Sequence, residues 1–121
     1  MKDNKQILDE FGEMVVSKCL DPVYAGVRDD FLKGLLNNRY SEFNNAVNKL
    51  SLEEKKKVID RINEEVESFL FAFLRLFEEQ SKFKLYYEDG EQKIDLTKAS
   101  EMLKAEPIIE NGWIARFSHE K

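Results

Sequence analysis

The chain has 121 residues, of which 42% are hydrophobic and 36% are charged. This balance is typical of one folded domain with its own core and excludes an intrinsically disordered chain. The formal net charge of −5 is spread along the sequence, and no segment has the excess of Lys and Arg that phosphate binding requires. We therefore expect neither a nucleic acid nor an anionic membrane surface as a partner.

Cysteine usage and hydropathy indicate the compartment. The single cysteine, Cys19, cannot form a disulfide within the chain, which favours a reducing environment. The longest apolar run extends from Phe69 to Leu74 and is far shorter than the ~20 residues that cross a bilayer. The first residues lead into an amphipathic stretch without the apolar core of a secretory signal. These features predict a cytoplasmic protein.

Two amphipathic segments open the chain. Asp3 or Asn4 can cap a first helix. Its apolar positions recur at helical spacing and are Ile7, Leu8, Phe11, Met14 and Val15. Asp21-Pro22 predicts a restart, because aspartate accepts from the free N–H groups of a helix start and proline fits the first helical position. The apolar positions of this second helix, which we expect to end at Asn37-Asn38, are Tyr24, Val27, Phe31 and Leu35.

The strongest helical signal lies in the middle of the sequence. Ser41 can open a short third helix, and Ser51 with Glu54 forms a capping box in front of a long fourth helix. This helix is expected to run to about Gln80. Its predicted core stripe, stepping by three or four residues, consists of Val58, Ile62, Val66, Phe69, Phe73 and Phe77.

After residue 80 the apolar period changes from about 3.6 to two, which predicts strands. Asp89-Gly90 is typical of a tight turn after a strand over residues 83–88, and Ile94 and Leu96 alternate on the returning strand. A short helix is expected over residues 97–104. Asn111-Gly112 predicts a second hairpin over residues 107–117.

The predicted fold class is therefore α+β, with residues 1–121 forming a single domain. The helical part, residues 1–80, is expected to contain three or four helices with one long central helix. The β-rich part, residues 81–121, is expected to form a small antiparallel sheet of two hairpins on which the helices pack.

The residues that usually carry catalysis are scarce. The only histidine, His119, lies close to the C-terminus, where a histidine is more often frayed than catalytic, and Cys19 has no second histidine to activate it. Asp60, Glu64 and Glu67 share one helix face, but they lack the spacing of a di-metal bundle, which indicates a solvated face. We predict a protein that is not an enzyme and that uses no cofactor and no metal.

Aromatic residues are abundant, and two groups of them are candidate interfaces. Phe71 and Leu74 lie off the predicted core stripe of the long helix, so their exposure would mark a binding face. The second candidate is a patch of residue types common at interfaces, beside an acidic turn. Its members are Tyr86, Tyr87, Glu88, Asp89, Trp113 and Arg116.

Three hypotheses for the function follow. The first is a non-catalytic protein-binding module, for which a small bacterial immunity or antitoxin-like neutraliser of a basic toxin is one concrete version. The second is a homodimer that buries Phe71 and Leu74 between two copies. The third is a small-molecule-binding domain whose phenylalanine-lined pocket lies between the long helix and the sheet, closed by Tyr87 or Trp113.

Overall fold

The first two predicted helices form one continuous helical rod in the computed structural model, which describes residues 1–34 and 41–121. α1 (Asn4–Val15) continues through a π-helical segment (Val16–Leu20) into α2 (Asp21–Leu32) without an extended residue between them. Asp3 caps α1, since its side chain accepts from the backbone N–H of Gln6. The predicted positions Leu35 and Asn37-Asn38 lie outside the described residues.

The expected restart at Asp21-Pro22 is instead a change of helical pitch. The N–H of Asp21 donates to the carbonyl of Val16, five residues earlier, and this wider turn directly precedes Pro22, which has no N–H to donate. The Asp21 carboxylate does not cap α2, because the backbone N–H groups at the start of α2 belong to the continuous helical rod. It is buried and accepts instead from the Ser118 hydroxyl and the His119 backbone N–H.

The capping box predicted for the long helix is confirmed. α4 spans Leu52–Glu79, and Ser51 and Glu54 each accept from the other's backbone N–H. The short helix α3 (Ser41–Asn48) precedes it. Phe31 of α2 and Val47 of α3 form a second small core with Ile59 of α4.

One hairpin forms in the C-terminal part, as predicted. β1 (Tyr86–Asp89) pairs antiparallel with β2 (Gln92–Asp95), with Tyr86 opposite Asp95, and Gly90 adopts a positive φ of 58° in the turn. A short helix, α5 (Leu96–Ala99), follows directly and is capped by the Asp95 side chain. The structure is therefore α+β, mostly helical with a two-stranded antiparallel sheet.

The second hairpin predicted over residues 107–117 is wrong. A 3₁₀ turn (Leu103–Ala105) leads into successive turns, and Trp113–Phe117 forms a helix, α6. Asn111 does adopt the left-handed conformation with φ of 58°. Gly112, however, packs against the carbonyl oxygens of Glu106 and Ile109, where a Cβ atom would lie 2.4 Å and 2.8 Å from them. The Asn-Gly pair therefore directs the chain into a helix rather than into a returning strand.

The main core lies where the rod, α4 and the C-terminal segment meet. α4 packs chiefly against α2 and the 3₁₀ turn rather than on a sheet face, which corrects the predicted arrangement. The buried members of this core are Ile7, Leu8, Val16, Leu20, Tyr24, Leu74, Leu96, Leu103, Trp113 and Ile114.

Candidate protein-binding surface

The side of α4 that faces the core is rotated by one residue from the predicted stripe. Ile59, Asn63 and Leu74 are the buried positions of this helix, and Val66 and Leu70 pack beside the main core. Phe69 and Phe73, which the sequence pattern assigned to the core, are 71% and 47% exposed. The prediction of a buried phenylalanine stripe is therefore wrong for the second half of the helix.

Three large apolar side chains on successive turns of α4 remain open to solvent. We call Phe69, Phe73 and Leu76 the aromatic face; Leu76 is 48% exposed. The rings of Phe69 and Phe73 stack with their centroids 6.1 Å apart. The half-buried Phe77 meets Phe73 edge to face at 5.4 Å. These ring contacts and the helical backbone hold the aromatic face in one arrangement.

The charged residues beside the aromatic face form ion pairs along α4. Arg61 pairs with Glu65 at 2.7 Å between Nη2 and Oε1 and with Glu64 at 3.3 Å, and Arg75 pairs with Glu79 at 3.3 Å between Nε and Oε1. All of these side chains are exposed, so the pairs contribute little to stability.

Phe71 and Leu74, the first predicted interface, do not form an exposed face. Leu74 is 1% exposed and belongs to the main core, so its assignment to an interface is wrong. Phe71 is half-buried, and the Lys104 ammonium lies 5.9 Å from the centre of its ring. Phe71 and Ile108 line a shallow groove beside α4, bordered by Glu64. The homodimer hypothesis therefore loses the surface on which it was based.

The four predicted residues of β1 lie together on the hairpin. Tyr86, Glu88 and Asp89 are exposed, and Tyr87 is half-buried. Lys93 from the opposite strand lies 4.5 Å from the ring centre of Tyr86. The Tyr87 hydroxyl donates to the Asp89 carboxylate at 3.3 Å, and desolvation of the phenol raises the pKa of Tyr87.

Trp113 and Arg116 do not join this hairpin in a surface patch. Trp113 is completely buried, and its ring meets Phe11 edge to face at 5.6 Å. Arg116 holds α6 to α1, since its Nη2 donates to Asp9 at 2.9 Å and its Nε donates to the carbonyl of Asn111 at 2.7 Å. This hydrogen bond from Arg116 holds the pKa of Asp9 below its ordinary value. Trp113 as an interface residue is therefore a wrong prediction, because α6 turns it inward.

Tyr87 lines an open cleft of about 670 Å³ beside Lys2 and Gln92, away from the long helix. Two other clefts near the hairpin also differ from the predicted pocket. An open cleft of about 350 Å³ lies between the end of α4 and the region of the hairpin, with Phe77 as its one phenylalanine and Lys84, Asp95 and Lys98 among its charged lining. Neither Tyr87 nor Trp113 lines it. A cavity of about 110 Å³ between α1 and the hairpin is smaller than the roughly 300 Å³ of small-molecule pockets.

The residues with catalytic or metal-binding chemistry are dispersed. Within residues 1–34 and 41–121, no three His, Cys, Asp or Glu side chains are placed to hold a metal ion. Cys19 is exposed on the rod. His119 follows α6, and its backbone N–H donates to the Asp21 carboxylate. Glu67 is partly buried and accepts from the Tyr24 hydroxyl at 2.8 Å and from Lys121. In the part of the chain that the structure describes, no helix is long and apolar enough to cross a membrane.

The sequence indicated that part of the second half of α4 is not covered by the core, but it did not indicate which side of the helix this is. Residues 68–77 are apolar around most of the helix, so one small core cannot cover them all. That reasoning selected Phe71 and Leu74 as the uncovered positions, whereas the structure covers Leu74 and leaves Phe69 and Phe73 open.

Comparison with known proteins gives no match: no protein-family model, no curated protein and no solved structure is detectably similar to this chain.

Proposed function

We propose that this chain is a non-catalytic protein-binding module that docks an amphipathic helix of its partner on the aromatic face. The observation that carries the proposal is the exposure of Phe69, Phe73 and Leu76 on one side of a 28-residue helix. Exposed apolar side chains that adjoin one another on a rigid element are typical of interaction surfaces. Phenylalanine is also among the residue types enriched at the centres of interfaces.

The chain's own packing shows how the first half of this side of α4 is covered. Val58 and Ile62 lie there and pack against the second small core, which consists of Phe31, Val47 and Ile59. The aromatic face continues this side of α4 beyond that core. An apolar surface of a partner would cover the second half as this core covers the first.

The residue spacing also suits a helix as partner. Along the aromatic face the apolar positions step from Phe69 to Phe73 and Leu76, by four and three residues. This alternation is the seam along which one helix inserts its side chains between those of another. Helix-in-groove recognition uses the same anchor spacing.

Site-specific photocrosslinking tests the proposal. A photoreactive phenylalanine analogue replaces Phe73 in the full chain, which is produced in its native cells and irradiated. We expect cross-links to an amphipathic helical segment of one protein, and we expect Phe69→Glu in the same chain to abolish them. Phe83 provides the control, because it is a phenylalanine outside α4 that is 70% exposed and therefore at least as accessible to proteins as Phe73 at 47%.

The outcome that overturns the proposal is equally specific. If position 73 and position 83 cross-link to the same set of proteins, the aromatic face has no preferred partner. Cross-links from position 73 that persist with Phe69→Glu would contradict it too, because a helix seated on this face has to contact both rings. Thermal unfolding of each variant shows that the fold is retained.

A further inference from the structure

We infer that the outer edge of β1 binds an extended segment of a partner protein, which adds a third strand to the two-stranded sheet. The inference goes beyond the proposed function, because this edge belongs to the hairpin and not to α4. The segment carries a basic residue opposite Glu88 and aliphatic residues opposite Tyr87 and Leu85. Strand addition of this kind gains affinity from main-chain hydrogen bonds and specificity from pockets for alternate side chains.

The hydrogen bonds of the hairpin leave two residues of β1 open on its outer side. The N–H of Leu96 donates to the carbonyl of Leu85 at 2.9 Å, so these two residues form a hydrogen-bonded pair of the antiparallel ladder. Such pairs alternate with pairs that are not hydrogen-bonded, so Tyr86 and Glu88 direct their backbone N–H and C=O groups away from β2. Among residues 1–34 and 41–121, no group bonds to the backbone of either residue on that side. The edge therefore offers two N–H donors and two carbonyl acceptors to another strand.

The sequence of β1 leaves this edge accessible to one kind of strand. Free edges are usually protected from pairing by lysine or other charged side chains, by proline or by a bulge. Tyr86–Asp89 contains neither lysine nor proline, and its four residues pair with β2 one to one. Its charged side chains are acidic and lie at the turn end of the strand, so they disfavour an acidic segment and favour one with a basic residue at that place.

A cavity of side-chain size adjoins the outer edge of β1. It measures about 110 Å³, and the three consecutive residues Leu85, Tyr86 and Tyr87 line it, which places it alongside the strand. The exposed Met14 of α1 lines it as well, so the cavity opens at the surface. Residues directly opposite each other in a strand pair point to the same side of the sheet, so partner residues opposite Leu85 and Tyr87 point towards α1. An aliphatic side chain at either place reaches the cavity.

The charge at the turn end of β1 selects the basic residue. Glu88, Asp89 and Glu91 place three carboxylates at this end. Lys93 stands opposite Glu88 in the register, but its ammonium lies 4.5 Å from the ring centre of Tyr86. Within the described residues Glu88 forms no ion pair, so its carboxylate is available to a basic side chain on the added strand. Opposite charges across a strand pair stabilise the pairing.

A synthetic peptide of this pattern tests the inference with the purified full chain. The probe is acetyl-Thr-Lys-Val-Thr-Val-Thr-amide. In an antiparallel pair, which is the more stable arrangement, its lysine lies opposite Glu88 and its valines lie opposite Tyr87 and Leu85. We expect the probe to shift the amide NMR signals of Tyr86 and Glu88 and to bind with a dissociation constant below about 1 mM. The matched control has aspartate in place of the lysine and should bind at least about fivefold more weakly, because it sets a like charge opposite Glu88.

Backbone methylation distinguishes strand addition from binding through side chains alone. In the antiparallel pair the N–H groups of the lysine and of the middle threonine face Glu88 and Tyr86, whereas the N–H groups of the two valines face solvent. N-methylation of the lysine and the middle threonine should therefore abolish binding. N-methylation of the two valines should change the dissociation constant by less than about threefold, because no hydrogen bond to β1 is lost. Equal losses from the two modified peptides would overturn strand addition.

Two charge reversals separate the local charge pair from the net charge of the chain. Glu88→Lys should exchange the preference, so that the aspartate control binds more tightly than the probe. Glu91→Lys changes the net charge equally but lies in the turn, outside the paired residues, and should leave the preference of the native chain unchanged. Thermal unfolding of both variants shows that the fold is retained.

The outcomes that overturn the inference do not affect the proposed function. A probe that leaves the signals of Tyr86 and Glu88 unshifted at about 1 mM overturns strand addition at this edge. An aspartate control that binds as tightly as the probe, or shifts confined to residues of α4, would overturn it too. The aromatic face is tested separately by the cross-links from position 73, so each proposal can fail while the other stands.

Discussion

Gly12 of α1 lies against the indole ring of Trp113, and this contact sets the distance between α1 and α6. A Cβ atom at position 12 would lie 2.4 Å from Cγ of Trp113, far inside van der Waals contact. We expect Gly12→Ala to lower the free energy of unfolding by about 1–2 kcal/mol, because overpacking of the core outweighs the better helix propensity of alanine. Urea denaturation followed by far-UV circular dichroism measures the change.

Gly26 in α2 is the control for this substitution. It is also helical, but no heavy atom lies within 4 Å of a Cβ built there. Gly26→Ala should therefore raise the free energy of unfolding by about 0.5–1 kcal/mol through helix propensity alone. A Gly12→Ala protein that gains stability to the same extent would show that α6 does not pack on α1 in this way.

Tyr24 is expected to make the free energy of unfolding depend on pH in the alkaline range. The phenol of Tyr24 is buried, and its hydroxyl donates to Glu67. Desolvation of the phenol is the larger cause and the hydrogen bond to Glu67 the second cause that raise the pKa of Tyr24 well above its ordinary value of 10.0. The unfolded chain therefore loses this proton at lower pH than the folded chain. The stability that the phenol contributes is complete below pH 10 and falls as the pH rises further.

The comparison of the native chain with Tyr24→Phe isolates this effect. At pH 7 the substitution should cost about 2 kcal/mol, since it removes a hydrogen bond to a carboxylate. At about pH 11 the difference should be smaller, because only the native chain still has the proton to lose on unfolding. Urea denaturation of both proteins at the two pH values measures it. An equal difference at both would contradict a phenol buried in the native state.

At the scale of the elements, two local signals in the sequence located a helix start and a turn correctly. The capping box of Ser51 and Glu54 and the turn at Asp89-Gly90 are both present in the structure. Each signal depends on groups a few residues apart, so no knowledge of the tertiary fold is needed to interpret it. The hairpin predicted at Asn111-Gly112 did not form because such a turn needs a positive φ at both residues. Only Asn111 has one, whereas Gly112 is extended with φ of −78° and precedes α6.

The side of α4 that faces the core was not predictable from its own sequence. Two adjacent stripes run along this helix with the same period, and the buried one contains Asn63 whereas the exposed one contains Phe69 and Phe73. Hydrophobicity alone prefers the phenylalanine stripe. The choice is made by where α2 and the 3₁₀ turn pack, which is a property of the tertiary structure. The candidate site was missed for the same reason.

At the scale of the whole molecule, the net charge of −5 distinguishes a partner held by apolar contacts from a basic partner that the chain would neutralise. Added salt screens the attraction between an acidic neutraliser and a basic toxin, so that complex weakens as the salt concentration rises. Salt leaves apolar contacts such as those of the aromatic face intact.

We therefore expect the cross-links from position 73 to persist when irradiation is carried out in cell lysate at about 0.5 M salt instead of about 0.05 M. The yield of the cross-linked product at both salt concentrations measures this, with position 83 as the control outside α4. A product that disappears at the higher salt concentration would indicate a partner held by charges rather than by Phe69, Phe73 and Leu76. That result would move the interface away from the aromatic face and towards the charged surfaces of the molecule, such as the acidic turn at Glu88 and Asp89.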